Sequence, residues 1–197
     1  MPNATALLEA LRWVSTHQDQ WVQTLYGRTI TDARRLKTNT PLDPCGTAKC
    51  LAGATAELAG WRFVISSSRL YANASLESML PPESIAAGLT TPKRSADFVA
   101  SDLLDLDGHE VDALFHGANS MLDLWTYAYI ICGLLSVTLE DGTPPLDEDG
   151  EPITVDRIVD NARQISIDEG EDDNGYLYCQ RELALHFVDK LAAEARV

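Results

Sequence analysis

Paired histidines, glycine-rich phosphate loops and long hydrophobic runs are all missing from this chain of 197 residues. It holds no G-x-S-x-G elbow, no H-E-x-x-H, no Walker loop and no dinucleotide fingerprint. The hydrolase, zincin, nucleotide-hydrolysing and hydride-transfer chemistries that need those spacings therefore have no local signature here. The N-terminal stretch "MPNATALLEALRWVSTHQDQW" is interrupted by Glu9 and Arg12, which excludes the unbroken apolar core of a signal peptide. The most apolar window, "LWTYAYIICGLLSVTL" (124–139), has sixteen uncharged residues, short of the roughly 20 a membrane-spanning helix requires. A buried central helix is expected there instead, and no membrane association.

Cysteine is scarce as well. Four in a chain of this size, with no secretion signal, point to free thiols in a reducing cytoplasm. Positive charge is scarce in one half only. Residues 1–98 carry ten Lys/Arg against eight Asp/Glu, whereas residues 99–197 carry five against twenty-two, a balance of −17. Such a half repels phosphate backbones and suits a basic partner protein or cations.

Apolar spacing predicts a mainly α fold, a single-domain helical bundle of six to seven helices with a small β-hairpin. Asn3 is placed to cap a helix whose stripe is Ala4, Leu7, Leu8, Leu11 and Val14, prolonged by Trp21, Val22 and Leu25 until Gly27 stops it. A loop at 28–44 holds the basic cluster Arg28, Arg34, Arg35 and Lys37. "WRFVIS" and "RLYANA" read as a hairpin near 61–74. Pro82 suits a first helical position, and Thr91 and Pro92 suit the start of a helix with Ala96, Val99, Ala100, Leu103 and Leu104 on one face. Asp107 and Glu110 have capping-box spacing before Val111, Leu114 and Phe115. Trp125, Tyr127 and Tyr129 read as core. "EDGTPPLDEDGEP" (140–152) is an acidic, turn-rich boundary between a helical core domain, 1–139, and an acidic helical extension, 140–197, packed on it. In the extension Val155, Ile158, Val159, Ala162 and Ile165 mark one helix, and Ala184, Phe187, Val188, Leu191 and Ala195 another.

"PLDPCGTAKCLAGATAELAGW" (41–61) concentrates the chemistry. Thr47 is expected to cap a helix over 48–59, ended by Gly60, with Ala52, Gly53, Ala56 and Ala59 forming a smooth face for close packing. Cys50 then falls in the first turn, where free amides favour a thiolate. Four uses of Cys45 and Cys50 stand open: structural thiols at a helix start, which the packing pattern favours; a zinc site; a redox pair; or a Cys50 nucleophile activated by His17, His109, His116 or His186. Zinc lacks a second ligand pair, since Cys132 and Cys179 stand alone in the sequence. The acidic loops fail as EF-hands: with Gly150 at the sixth position Pro145 falls at the first, and with Gly175 there Arg181 falls at the bidentate position.

"CGTAKCLAG" followed by "ELAGW", then "ASDLLDLDGHEVDALF", with "HQDQW" upstream, resembles a loosely defined set of small uncharacterised proteins from actinobacteria and their phages that share C-G-T-x-x-C-x-A-G. The resemblance spans about residues 13–125 and departs at Ala54, where that set usually has an aromatic. It implies a phage or prophage origin and supplies no established activity.

The functional expectation is thus a non-enzymatic accessory or host-takeover factor, cytoplasmic, binding a host or phage protein through its acidic surface, with no catalytic residue assigned and no cofactor. An enzyme or zinc protein centred on Cys45 and Cys50, and an acidic DNA mimic that blocks a nucleic-acid-binding protein, are the alternatives.

Overall fold

A computed structural model describes residues 2–23, 27–29, 47–64, 75–76, 78–133, 136–167 and 176–195. It is mainly α, with eight α-helices and two small antiparallel sheets among the described residues. Helix α1 (Ala4–Thr16) starts as the sequence indicates: the Asn3 side chain accepts the Ala6 amide, and Leu7, Leu11 and Val14 are fully buried. Each such side chain contributes about 1.5–3 kcal/mol when removed from water. The helix stops at Thr16, earlier than expected. His17 ends it, a 3₁₀ turn covers Gln18–Gln20, and Trp21 and Val22 leave the helical path to pair with Lys49. Gly27 accordingly opens a strand, β1 (Gly27–Thr29), instead of closing a helix.

β1 lies between β2 (Thr47–Lys49) and β4 (Ser75–Leu76). Strand β2 occupies the positions expected to begin a helix, so α2 (Leu51–Leu58) starts with Cys50 at its cap rather than Thr47. Gly60 does follow the helix, in the left-handed region at φ 89°. Of the hairpin expected near 61–74, only the first strand falls among the described residues. Strand β3 (Arg62–Phe63) pairs with the more distant β5 (Ser78–Leu80), which also pairs with β6 (Arg94–Ser95). Phe63 faces Met79 in that register, and both are completely buried, which explains the non-local pairing. "RLYANA" lies outside the described residues, as do most of the basic loop and Cys45.

Helix α3 (Pro82–Ala86) has Pro82 at its first turn. Helix α4 (Ala96–Leu104) begins after Ser95, not after Thr91, because Arg94 and Ser95 are held in β6. Helix α5 (Gly108–Leu114) is closed by the expected reciprocal box of Asp107 and Glu110. Helix α6 (Met121–Cys132) is the buried element, with Leu124, Trp125, Tyr127 and Ala128 in the core. It begins three residues before the apolar window, capped by Ser120 and Asp123, and ends where Gly133 turns left-handed at φ 59°.

Helices α7 (Val155–Ile167) and α8 (Tyr176–Glu194) pack on each other and against α6, and α8 also meets α5. Ile158, Ala162 and Ala184 are their buried contributions, and Tyr129 meets Phe187 edge-on. Among the described residues, no helix is long and apolar enough to cross a membrane.

Candidate functional site

The "HQDQW" and "AKC" segments, 28 residues apart at Trp21 and Lys49, come together beside α1. The Val22 amide donates to the Lys49 carbonyl. Buried Gln23 then fastens the junction. Its Oε1 accepts the Leu51 amide at the start of α2 and the Trp21 indole N–H, both at 3.2 Å, while its Nε2 donates to the His116 carbonyl.

Directly inside lies Lys49, 2% exposed. Its ammonium pairs with the Glu57 carboxylate and stands 4.4 Å from the centre of the Trp13 ring. Trp13 also stacks on His17, with ring centres 4.5 Å apart and planes within 4°. His17 is fixed in turn by a 2.9 Å hydrogen bond from Nδ1 to the Trp13 carbonyl. A cation and an imidazole thus both contact the Trp13 indole.

Two hollows open around that stack and share Trp13, His17 and Leu58. The smaller, about 300 Å³, also touches Gln20, Lys49, Ala54 and Glu57. The larger, about 440 Å³, runs out under the acidic loop and is lined further by Glu9, Arg12, Thr16, Leu139, Glu140 and Asp141. Its rim is anchored. The Arg12 guanidinium donates through Nε to the Thr138 carbonyl at 2.9 Å, and Gln18 donates to the Leu146 carbonyl at 3.1 Å. Asp141 accepts the Thr143 hydroxyl at 2.7 Å and its amide at 3.0 Å, contacts that hold its carboxyl below the usual range. Further along, Asp147 accepts Arg157 at 2.6 Å and the amides of Asp149 and Glu151, and Glu148 accepts the Met121 amide at the start of α6. The sequence marks this segment as a turn-rich boundary; in three dimensions it is stitched to α1, α6 and α7.

The cysteine expectations need correction at one position. The Cys50 side chain makes no capping hydrogen bond, and the sulfur is enclosed with Ala52, Ala100 and Phe115. Burial pushes its thiol up to about 11, although the nearby amides of Gly53 and Ala52 pull the other way. Desolvation therefore outweighs the helix terminus, and the thiolate expected in a first turn does not form near neutral pH. Whether Cys45 approaches lies outside the described residues. Among the described residues, no group of three or more His, Cys, Asp or Glu is arranged to hold a metal ion.

A different thiol meets an imidazole. His109 Nδ1 is 3.3 Å from Cys179 Sγ, seventy residues away, where α5 contacts α8. Sequence spacing carries no signal for this pair, since neither residue belongs to a local motif. No known family model, no curated protein and no solved structure matches this chain.

Proposed function

We propose that this protein works by binding a partner protein with a basic surface, and that the 440 Å³ cleft between α1, α2 and the acidic loop receives one of that partner's lysine or arginine side chains. What supports the reading is the composition of that single cleft. Trp13, Leu58 and Leu139 offer apolar wall, and Glu9, Glu140 and Asp141 stand at its edge. Long cationic side chains lay an apolar stem on such a wall and leave the charged head among carboxylates. Arg12 is the opposing charge in the cleft, and its Nε is already committed to the Thr138 carbonyl. Three carboxylates against one guanidinium leave the balance negative.

The −17 imbalance of residues 99–197 adds a long-range field that speeds encounter with a basic partner and rejects acidic ones. The resemblance to actinobacterial and phage proteins supplies a setting, in which the protein is a phage or prophage accessory factor and the partner a host or phage protein.

The test is affinity capture from host cells at about 50 mM and about 300 mM salt, which spans strong and weak screening. It is run with the wild type and a Glu140→Lys/Asp141→Lys variant, and bound proteins are identified by mass spectrometry. A basic protein retained at low salt, released at high salt and lost by the variant is the expected result. Absence of any such protein, or retention indifferent to both salt and charge reversal, overturns the reading.

A further inference from the structure

The Cys179–His109 pair opens onto a cleft of about 500 Å³ on the α5–α8 side of the molecule, separate from the cleft beside Trp13. On α8 the residues Cys179, Glu182, His186 and Asp189 recur at intervals of three, four and three, so they share one face. From α5 and its cap come His109 and Asp107. The thiol sits at the bottom, 8% exposed, while both imidazoles lie at the surface. Three carboxylates and two imidazoles therefore line the cleft together with one sulfur, which has an imidazole nitrogen at 3.3 Å. Glu182 is already engaged by the Tyr178 hydroxyl, and Asp107 by the Glu110 amide, which fixes their positions in the wall.

We propose that Cys179 is a reactive thiol served by His109 as its base, and that the cleft is a site of reversible thiolation by small cationic disulfides. The chemistry balances without any group beyond that disulfide. The proton of the Cys179 thiol moves to His109 Nδ1, and the sulfur attacks one sulfur of the incoming disulfide. The S–S bond of the reagent breaks as the mixed disulfide forms. The departing thiolate takes the proton back from the imidazolium, leaving the histidine as it began. One disulfide replaces another, so no electrons enter or leave. The carboxylates of Asp107, Glu182 and Asp189 select for positive charge on the reagent. The other described thiols provide internal contrast, since burial pushes both Cys50 and Cys132 up to about 11.

The experiment treats the full-length protein at pH 7 with cystamine or with the anionic 3,3′-dithiodipropionate. Aliquots are acid-quenched and each cysteine is quantified by peptide mass spectrometry, with N-acetylcysteine as the free-thiol standard. Cys179 is expected to react about tenfold faster than the standard with cystamine and to lose that preference with the anionic reagent. His109→Asn keeps a donor near the Nδ1 position but cannot take the proton; it is expected to slow Cys179 about tenfold while Cys132 is unchanged. Circular dichroism and the unfolding midpoint check that this variant folds. If it does not, the wild-type rates against the standard and between the two reagents still decide. Cys179 reacting no faster than N-acetylcysteine, or equally fast in folded His109→Asn, overturns the base; equal rates with both reagents overturn the charge selection.

Discussion

Lys49 and Glu57 form an ion pair that is almost wholly withdrawn from solvent, with the Lys49 ammonium also over the Trp13 ring. Breaking such a pair from one side leaves a charge in a medium that solvates it poorly. Glu57→Ala is expected to cost about 3–5 kcal/mol of stability, whereas the double change Lys49→Met/Glu57→Leu falls much nearer the wild type. Urea unfolding of the three proteins measures this. A double variant as unstable as the single one would show that shape, not charge, sets the cost.

Trp125 is the largest completely buried side chain among the described residues, and its indole N–H donates to the Ser15 hydroxyl at 3.0 Å. Trp125→Ala is expected to lose about 3–5 kcal/mol through the cavity it leaves between α1 and α6. Ser15→Ala removes that acceptor, together with the hydroxyl's 3.5 Å contact to Met121 Sδ, and is expected to cost about 1–3 kcal/mol. Both follow from thermal or urea unfolding.

Ser120 caps α6 by accepting the Asp123 amide at 3.1 Å, and Asp123 returns a bond to the Ser120 amide. Ser120→Ala should cost about 1 kcal/mol, and Ser120→Thr, whose hydroxyl can both cap and donate to Asp123, should retain most of that stability. Denaturant midpoints for the two variants separate a capping role from a packing one.

Asp147 is held below the usual carboxylate range chiefly by its hydrogen bond from Arg157. A depressed folded-state value means that its contribution is complete above the unfolded Asp value, about 3.9, and is lost as pH falls through the lower folded value. Arg157→Gln should therefore lower stability by about 1 kcal/mol at pH 7. The gap between variant and wild type should stay constant down to about pH 5 and close below about pH 4. Unfolding midpoints across that range provide the check.

Much of the helical framework is legible in the sequence because burial repeats along the chain. Leu7, Leu11 and Val14 in α1, and Ile158 and Ala162 in α7, announce their faces, and Asn3 and Asp107 announce caps. Two helix starts read too early, at Thr47 and Thr91, for a common reason. The residues after them are claimed by strands whose partners lie far off in sequence, β1 for Thr47–Lys49 and β5 for Arg94–Ser95. Local capping chemistry cannot see those partners. The same limit hides the Lys49–Trp13 and His109–Cys179 contacts, which depend on how separate elements meet. At Cys50 the sequence does suggest electrostatics, but the sign is decided by enclosure, a property of the assembled core.

The acidic segment between α6 and α7 is tied to α1 by Arg12 and Gln18, and to α7 by Arg157. Under the proposed function, a carboxylate display fastened in this way meets the partner with its spacing already set. Little chain freedom remains to be surrendered when a partner settles on it, and less of the favourable contact energy is spent on immobilising backbone.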